Sequence, residues 1–126
     1  MDACRRIRLV RLAMGLAHPV ALIGGAAAQE PPHEVIELRI ENRAVVMPAD
    51  ALRVSKGDVI ELRWMSDEEV DLHLHGYDLE ARVSVGVPTV MIFEAHATGR
   101  FPITSHGWGE DGHGHDALAY VEVYPR

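Results

Sequence analysis

Residues 59–65 read Val-Ile-Glu-Leu-Arg-Trp-Met. Ile60, Leu62 and Trp64 fall on one side of an extended chain and Glu61 and Arg63 on the other, the two-residue period of a strand with one buried face. The segment VIELRI at 35–40 repeats the pattern, with Ile36, Leu38 and Ile40 opposite Glu37, Arg39 and Glu41. VDLHLH at 70–75 and TVMIFEA at 89–95 alternate as well, Gly99 opens RFPITS, and ALAYVEVY at 117–124 runs up to Pro125. Shorter strands are expected at 44–47, 51–54 and 79–85, and Lys56-Gly57-Asp58 is the turn that feeds the 59–65 strand. After residue 28 no helical stripe of 11 or more residues interrupts them. Many short strands separated by turns predict an all-β fold, a Greek-key antiparallel β-sandwich.

The first 28 residues have a different composition. Arg5, Arg6, Arg8 and Arg11 precede an apolar run that ends in the small residues Ala26, Ala27 and Ala28, the order of a secretory signal peptide cut before Gln29. Residues 29–33 then form a flexible lead-in containing Pro31, Pro32 and His33, and 34–126 form one domain. Export implies a periplasmic or otherwise extracytoplasmic location, with no membrane span in the mature chain. Cys4 is the only cysteine, so a chain starting at Gln29 has neither a disulfide nor a thiolate ligand. The leader's four arginines against Asp2 leave residues 29–126 at −10 when the whole chain carries −7. Such a surface repels nucleic acid and attracts metal ions and basic protein partners.

Histidine is the residue left to explain. In HLHGYD, residues 73–78, the alternation puts Asp71, His73 and His75 on one face and Val70, Leu72 and Leu74 on the other. Two such histidines lie about 7 Å apart at Cα, within reach of one ion, and Gly76 lets the chain turn away. The same pattern also describes a solvated face carrying two polar rings. A second histidine-rich stretch, SHGWGEDGHGHD at 105–116, holds His106, His113 and His115 among four glycines. Metal coordination would offset the entropy of ordering so glycine-rich a segment.

The order of these elements resembles that of the cupredoxins. Gly99 begins a strand of aromatic and aliphatic residues, a histidine-rich loop follows, and Ala117 to Val123 closes the domain as in that family's copper-binding corner. Pro48 to Trp64 is similar to the family's approach to its first ligand loop, so the resemblance covers nearly all of the chain after residue 28. It implies that the 106–115 loop lies beside the strand bearing His73 and His75. It also implies a site of two histidines, a cysteine and an axial methionine. Here the cysteine slot holds Ser105 and the methionine slot Ala117, while a strict count of four residues after Asp67 puts the first ligand at Asp71. Without a thiolate, blue-copper electron transfer is not expected. HLHG in turn is similar to the HxHG motif of the multicopper oxidases, which are built from cupredoxin domains.

The expected site is therefore a cluster of imidazoles from His73, His75, His106, His113 and His115, with Asp71 and Asp78 orienting them. Imidazole suits copper(II), and zinc is the alternative. The expected function is copper storage, delivery or tolerance by an exported protein that is not an enzyme, with a basic or copper-handling protein as its partner. Two other readings are a metal-free scaffold module that has lost its ligands and a small metal-dependent redox enzyme. His33 and His96 are expected at the surface, Trp64 and the methionines Met47, Met65 and Met91 in or beside the core, and Trp108 as an anchor within its loop.

Overall fold

The computed structural model describes residues 30–47, 50–108 and 117–126, and these fold into nine strands. They are β1 (His33–Glu41), β2 (Ala44–Val46), β3 (Ala51–Ser55), β4 (Val59–Ser66), β5 (Val70–Leu74), β6 (Leu79–Val83), β7 (Thr89–Glu94), β8 (Gly99–His106) and β9 (Ala117–Tyr124). Two sheets pack as a sandwich, one in the order β2-β1-β4-β7 and the other β3-β9-β8-β5-β6. The expected all-β sandwich is therefore present. The sheets are mixed rather than purely antiparallel, because β1 pairs with β4, and β3 with β9, in parallel. A two-residue period tells which face is buried but is blind to strand direction.

The alternation of the sequence is the alternation of burial. Ile60, Leu62 and Trp64 of β4 face Leu52, Val54, Ile103, Val121 and Val123 of the other sheet's strands within one apolar core, which also takes Leu38, Ile40, Met91 and Phe93. Val70, Leu72 and Leu74 of β5 are buried there too, which leaves Asp71 and His73 on the outer face of the five-stranded sheet. Met65 falls on the outward side of β4, unlike Met91.

Turns fix the ends. Asn42 and Arg43 take positive φ (51° and 63°) between β1 and β2, the two-residue turn whose twist suits a hairpin. Asp67 accepts the Asn42 N–H at 2.9 Å, tying that turn to the β4–β5 connection. The expected turn at Lys56-Gly57-Asp58 is present, with Gly57 at φ 92° and the Asp58 carboxylate accepting the Ser55 N–H at 3.2 Å. Asp58 also pairs with Arg126.

β1 begins at His33, the residue expected to end the flexible lead-in. His33 sits opposite Val59 in the parallel ladder and its ring lies 3.2 Å from Glu61. Arg63, hydrogen-bonded to the same carboxylate, is the main reason that Glu61 titrates below the usual carboxylate range. A carboxyl with a lowered folded-state pKa contributes stability above its unfolded value and loses it as pH falls through the folded value. Among the described residues no helix is long and apolar enough to cross a membrane.

Candidate metal centre

The outer face of β6, β5 and β8 forms a small grid. Antiparallel pairing sets Asp71 between Arg82 and His106, and His73 between Glu80 and Thr104. His75 lies one residue beyond β5 and extends the ladder by donating its backbone N–H to Pro102 O at 3.0 Å. Directly paired residues share a face, so His106 is a diagonal neighbour of His73 on the same side of the sheet. His73, His106, Asp71, Glu80 and Arg82 line one shallow groove.

Within the grid the two histidines of HLHG are in contact. Their ring centroids are 4.0 Å apart with planes tilted by 38°. His75 Nε2 is 2.8 Å from Thr104 Oγ1, and Thr104 is itself buried, so one ring nitrogen is fixed by the neighbouring strand and the other remains available. This is how proteins orient a ligating imidazole, through a partner on its second nitrogen. His73 Nε2 lies 3.8 Å from the Asp78 carboxylate, an electrostatic contact beyond hydrogen-bond length. Asp71 lies 3.9 Å from Arg82, whose guanidinium pKa is raised further, chiefly by its hydrogen bond to Glu69.

Among the described residues, no three histidine, cysteine or acidic side chains come close enough together to hold a metal ion. His113 and His115 lie outside the described residues. The segment that carries them leaves β8 at the end paired with Asp71 and rejoins the sheet at Ala117, which pairs with Thr104. β5 and β8 are neighbours, as the family's topology implies, but His73 is the closer to that end of β5 and His75 the farther.

Ser105 faces the other way. It pairs with Leu72, and both are buried toward the core, whereas His73 and His106 point outward. The cysteine slot and the histidine pair therefore open on opposite faces of one sheet. A side chain in the slot cannot share an ion with the histidines without breaking the strand. Asp71, the position reached by the family's spacing, also points outward.

The other singled-out residues are placed by packing. His96 stands edge-on to Tyr77 at 4.8 Å. Trp108 packs against the core below the Arg43 guanidinium, 5.8 Å from the ring centroid. Two members of the grid, Glu80 and Thr104, were not among the residues expected at the site. The period of LEARV puts Glu80 on the outer face, but only the pairing of β6 with β5 sets it beside His73.

No protein-family profile matches the chain, and no curated protein matches it in sequence. Solved structures do match in shape. The periplasmic domain of subunit II of cytochrome oxidase from Bradyrhizobium japonicum is 12% identical, with 77% of this chain and 88% of that one covered at a TM-score of 0.60. A copper-binding protein in its apo form is 11% identical, with 76% and 92% covered at 0.57. A heme-copper terminal oxidase chain is 18% identical, with 72% of this chain covered at 0.59, and this chain spans 65% of its length. The fold is that of the cupredoxins. In this cupredoxin-like domain, the imidazoles suit a borderline ion such as copper(II) or zinc, and the thiolate position is filled by a buried alcohol.

Proposed function

We propose that this cupredoxin-like protein acts outside the cytoplasm as a copper(II)-binding protein for storage, delivery or tolerance. In this reading the ion sits on the outer face of β5, held by the paired imidazoles of His73 and His75, and takes its remaining imidazoles from His106, His113 and His115, with His106 drawn toward the pair on binding. The observation that carries it is the ring contact of His73 and His75 at 4.0 Å, with His75 anchored on Thr104. The periplasmic and copper-binding proteins of similar fold support it, as does the basic, apolar and small-residue order of the first 28 residues. Zinc is the competing ion. In this reading the role is binding rather than turnover: the groove is shallow, and the Asp71 carboxylate in it lies 3.9 Å from the Arg82 guanidinium.

Competition with a calibrated copper(II) chelator tests the site. His73→Ala, His75→Ala and His106→Ala should each weaken affinity by at least about tenfold, which is about 1.4 kcal/mol. Unchanged affinity in all three, with the fold intact, would remove this site, and a wild-type chain with no measurable copper affinity would favour the metal-free scaffold. Binding requires neutral imidazoles, so affinity should fall as the pH is lowered. Thr104→Val should weaken binding by a few-fold up to about tenfold, while Thr104→Ser, which keeps the hydroxyl, should not. The copper-loaded protein should lack the intense blue colour of a thiolate site.

A further inference from the structure

The two sheets have four edges, at β2, β7, β3 and β6. Proteins protect such edges by shortening them or placing charges on them. Here β2 is only three residues long, β3 carries the exposed Arg53, and β6 carries Glu80 and the exposed Arg82 on its outer face. β7 is different. Its outward side chains Val90 and Ile92 are 47% and 54% exposed, and Val85 and Val87 in the link before it are 59% and 52% exposed. Among the described residues no strand pairs with its free side.

The direction of the free peptide groups follows from one contact. Ala95 donates its N–H to Asp58 O and accepts the Gly57 N–H, both at 2.9 Å, so its peptide groups face β4. By alternation Phe93 and Met91 do the same, Val90 and Ile92 direct their N–H and C=O groups to the open edge, and Glu94 directs its N–H there while its C=O accepts the His96 N–H at 2.8 Å.

We propose that β7 pairs antiparallel with β7 of a second copy of this chain, about a two-fold axis at Met91. In that register Val90 faces Ile92 of the partner subunit, so the outward-directed peptide groups meet each other. Glu94 meets Pro88 of the partner subunit, which needs no N–H partner. Moving the register by two residues in one direction would set Glu94 beside Val90, and in the other would shorten the ladder. Within each copy Ile92 pairs with Glu61 of β4, and Val90 with Arg63. The two rows through Val90 and Ile92 then read acid, apolar, apolar, base, so the two-fold axis brings unlike charges to the two ends of each of these rows. Pairing through one short strand buries little surface and gives a weak, exchanging dimer.

Sedimentation velocity in the presence of a metal chelator, from about 1 μM to about 1 mM, tests this without metal-bridged association. The expected result is a monomer–dimer equilibrium with protection of amides 90, 92 and 94 from hydrogen exchange at high concentration. Ile92→Lys should abolish dimerisation and that protection. Val46→Lys, a charge at an exposed position on the far edge, should leave both unchanged. A wild-type chain that stays monomeric throughout the range would overturn the proposal, as would an Ile92→Lys chain that associates like wild type. So would association that leaves amides 90, 92 and 94 unprotected.

Discussion

Gly76→Ala is expected to destabilise the domain by about 2–5 kcal/mol, the sum of a left-handed backbone penalty and an overpacking penalty. Gly76 has φ +85°, and a Cβ there would lie 2.4 Å from Phe101 Cδ1. The ring cannot simply retreat, because Tyr77 stands edge-on to it at 4.9 Å and in turn packs on Phe93 at 4.8 Å. The glycine of HLHG is thus required by the packing of Phe101 under the turn, whatever the histidines hold. Thermal unfolding followed by circular dichroism should show a midpoint lowered by about 10–25 °C for a domain of this size. Phe101→Ala in the same chain removes the obstacle, so the double variant should be more stable than the two single losses predict. A Gly76→Ala protein that melts with wild type would dispose of this account.

Trp64→Ala is expected to cost about 3–5 kcal/mol, the range for removing a large aromatic side chain from a closed core. Trp64 is fully buried at the centre of β4, between Leu38 and Thr89 on the neighbouring strands. Its indole Nε1–H is buried and meets no acceptor among the described residues. A donor in that position offsets part of the burial energy, by about 1–3 kcal/mol. Trp64→Phe deletes the stranded donor while keeping most of the apolar area, and should therefore be much the milder change. Urea unfolding separates the cases: a phenylalanine variant as unstable as the alanine one would mean that the indole is bonded in solution.

Much of this was legible from period two alone. VIELRWM and VDLHLH gave the buried faces of β4 and β5, including the outward direction of His73, because alternation across a strand is a local property. Strand direction, the inclusion of His33 in β1 and the company of Glu80 were not legible, because each depends on a partner far away in sequence. Ser105 and His106 show the same limit at the site. They are neighbours in sequence, but consecutive residues of β8 face opposite sides of the sheet, so the histidine does not fall in the empty ligand slot. The resemblance to the cupredoxins carried the fold and the pairing of β5 with β8. It said less about which end of β5 meets the histidine-rich segment, since that depends on register.

The position of β9 between β3 and β8 has a consequence for how the chain reaches its native state. The last strand in sequence is an inner strand of its sheet, and its parallel partner β3 begins at Ala51 while its own residues begin at Ala117. Closing so long a loop must precede any gain from the pairing, which makes such a topology slow to fold. A nascent chain lacking residues 117–124 would leave β3 without its ladder and β8 with one side open. Residues 117–124 must therefore be made before the five-stranded sheet can close. A variant truncated before Ala117 should accumulate as a protease-sensitive species that exposes the core, not as a smaller stable sandwich.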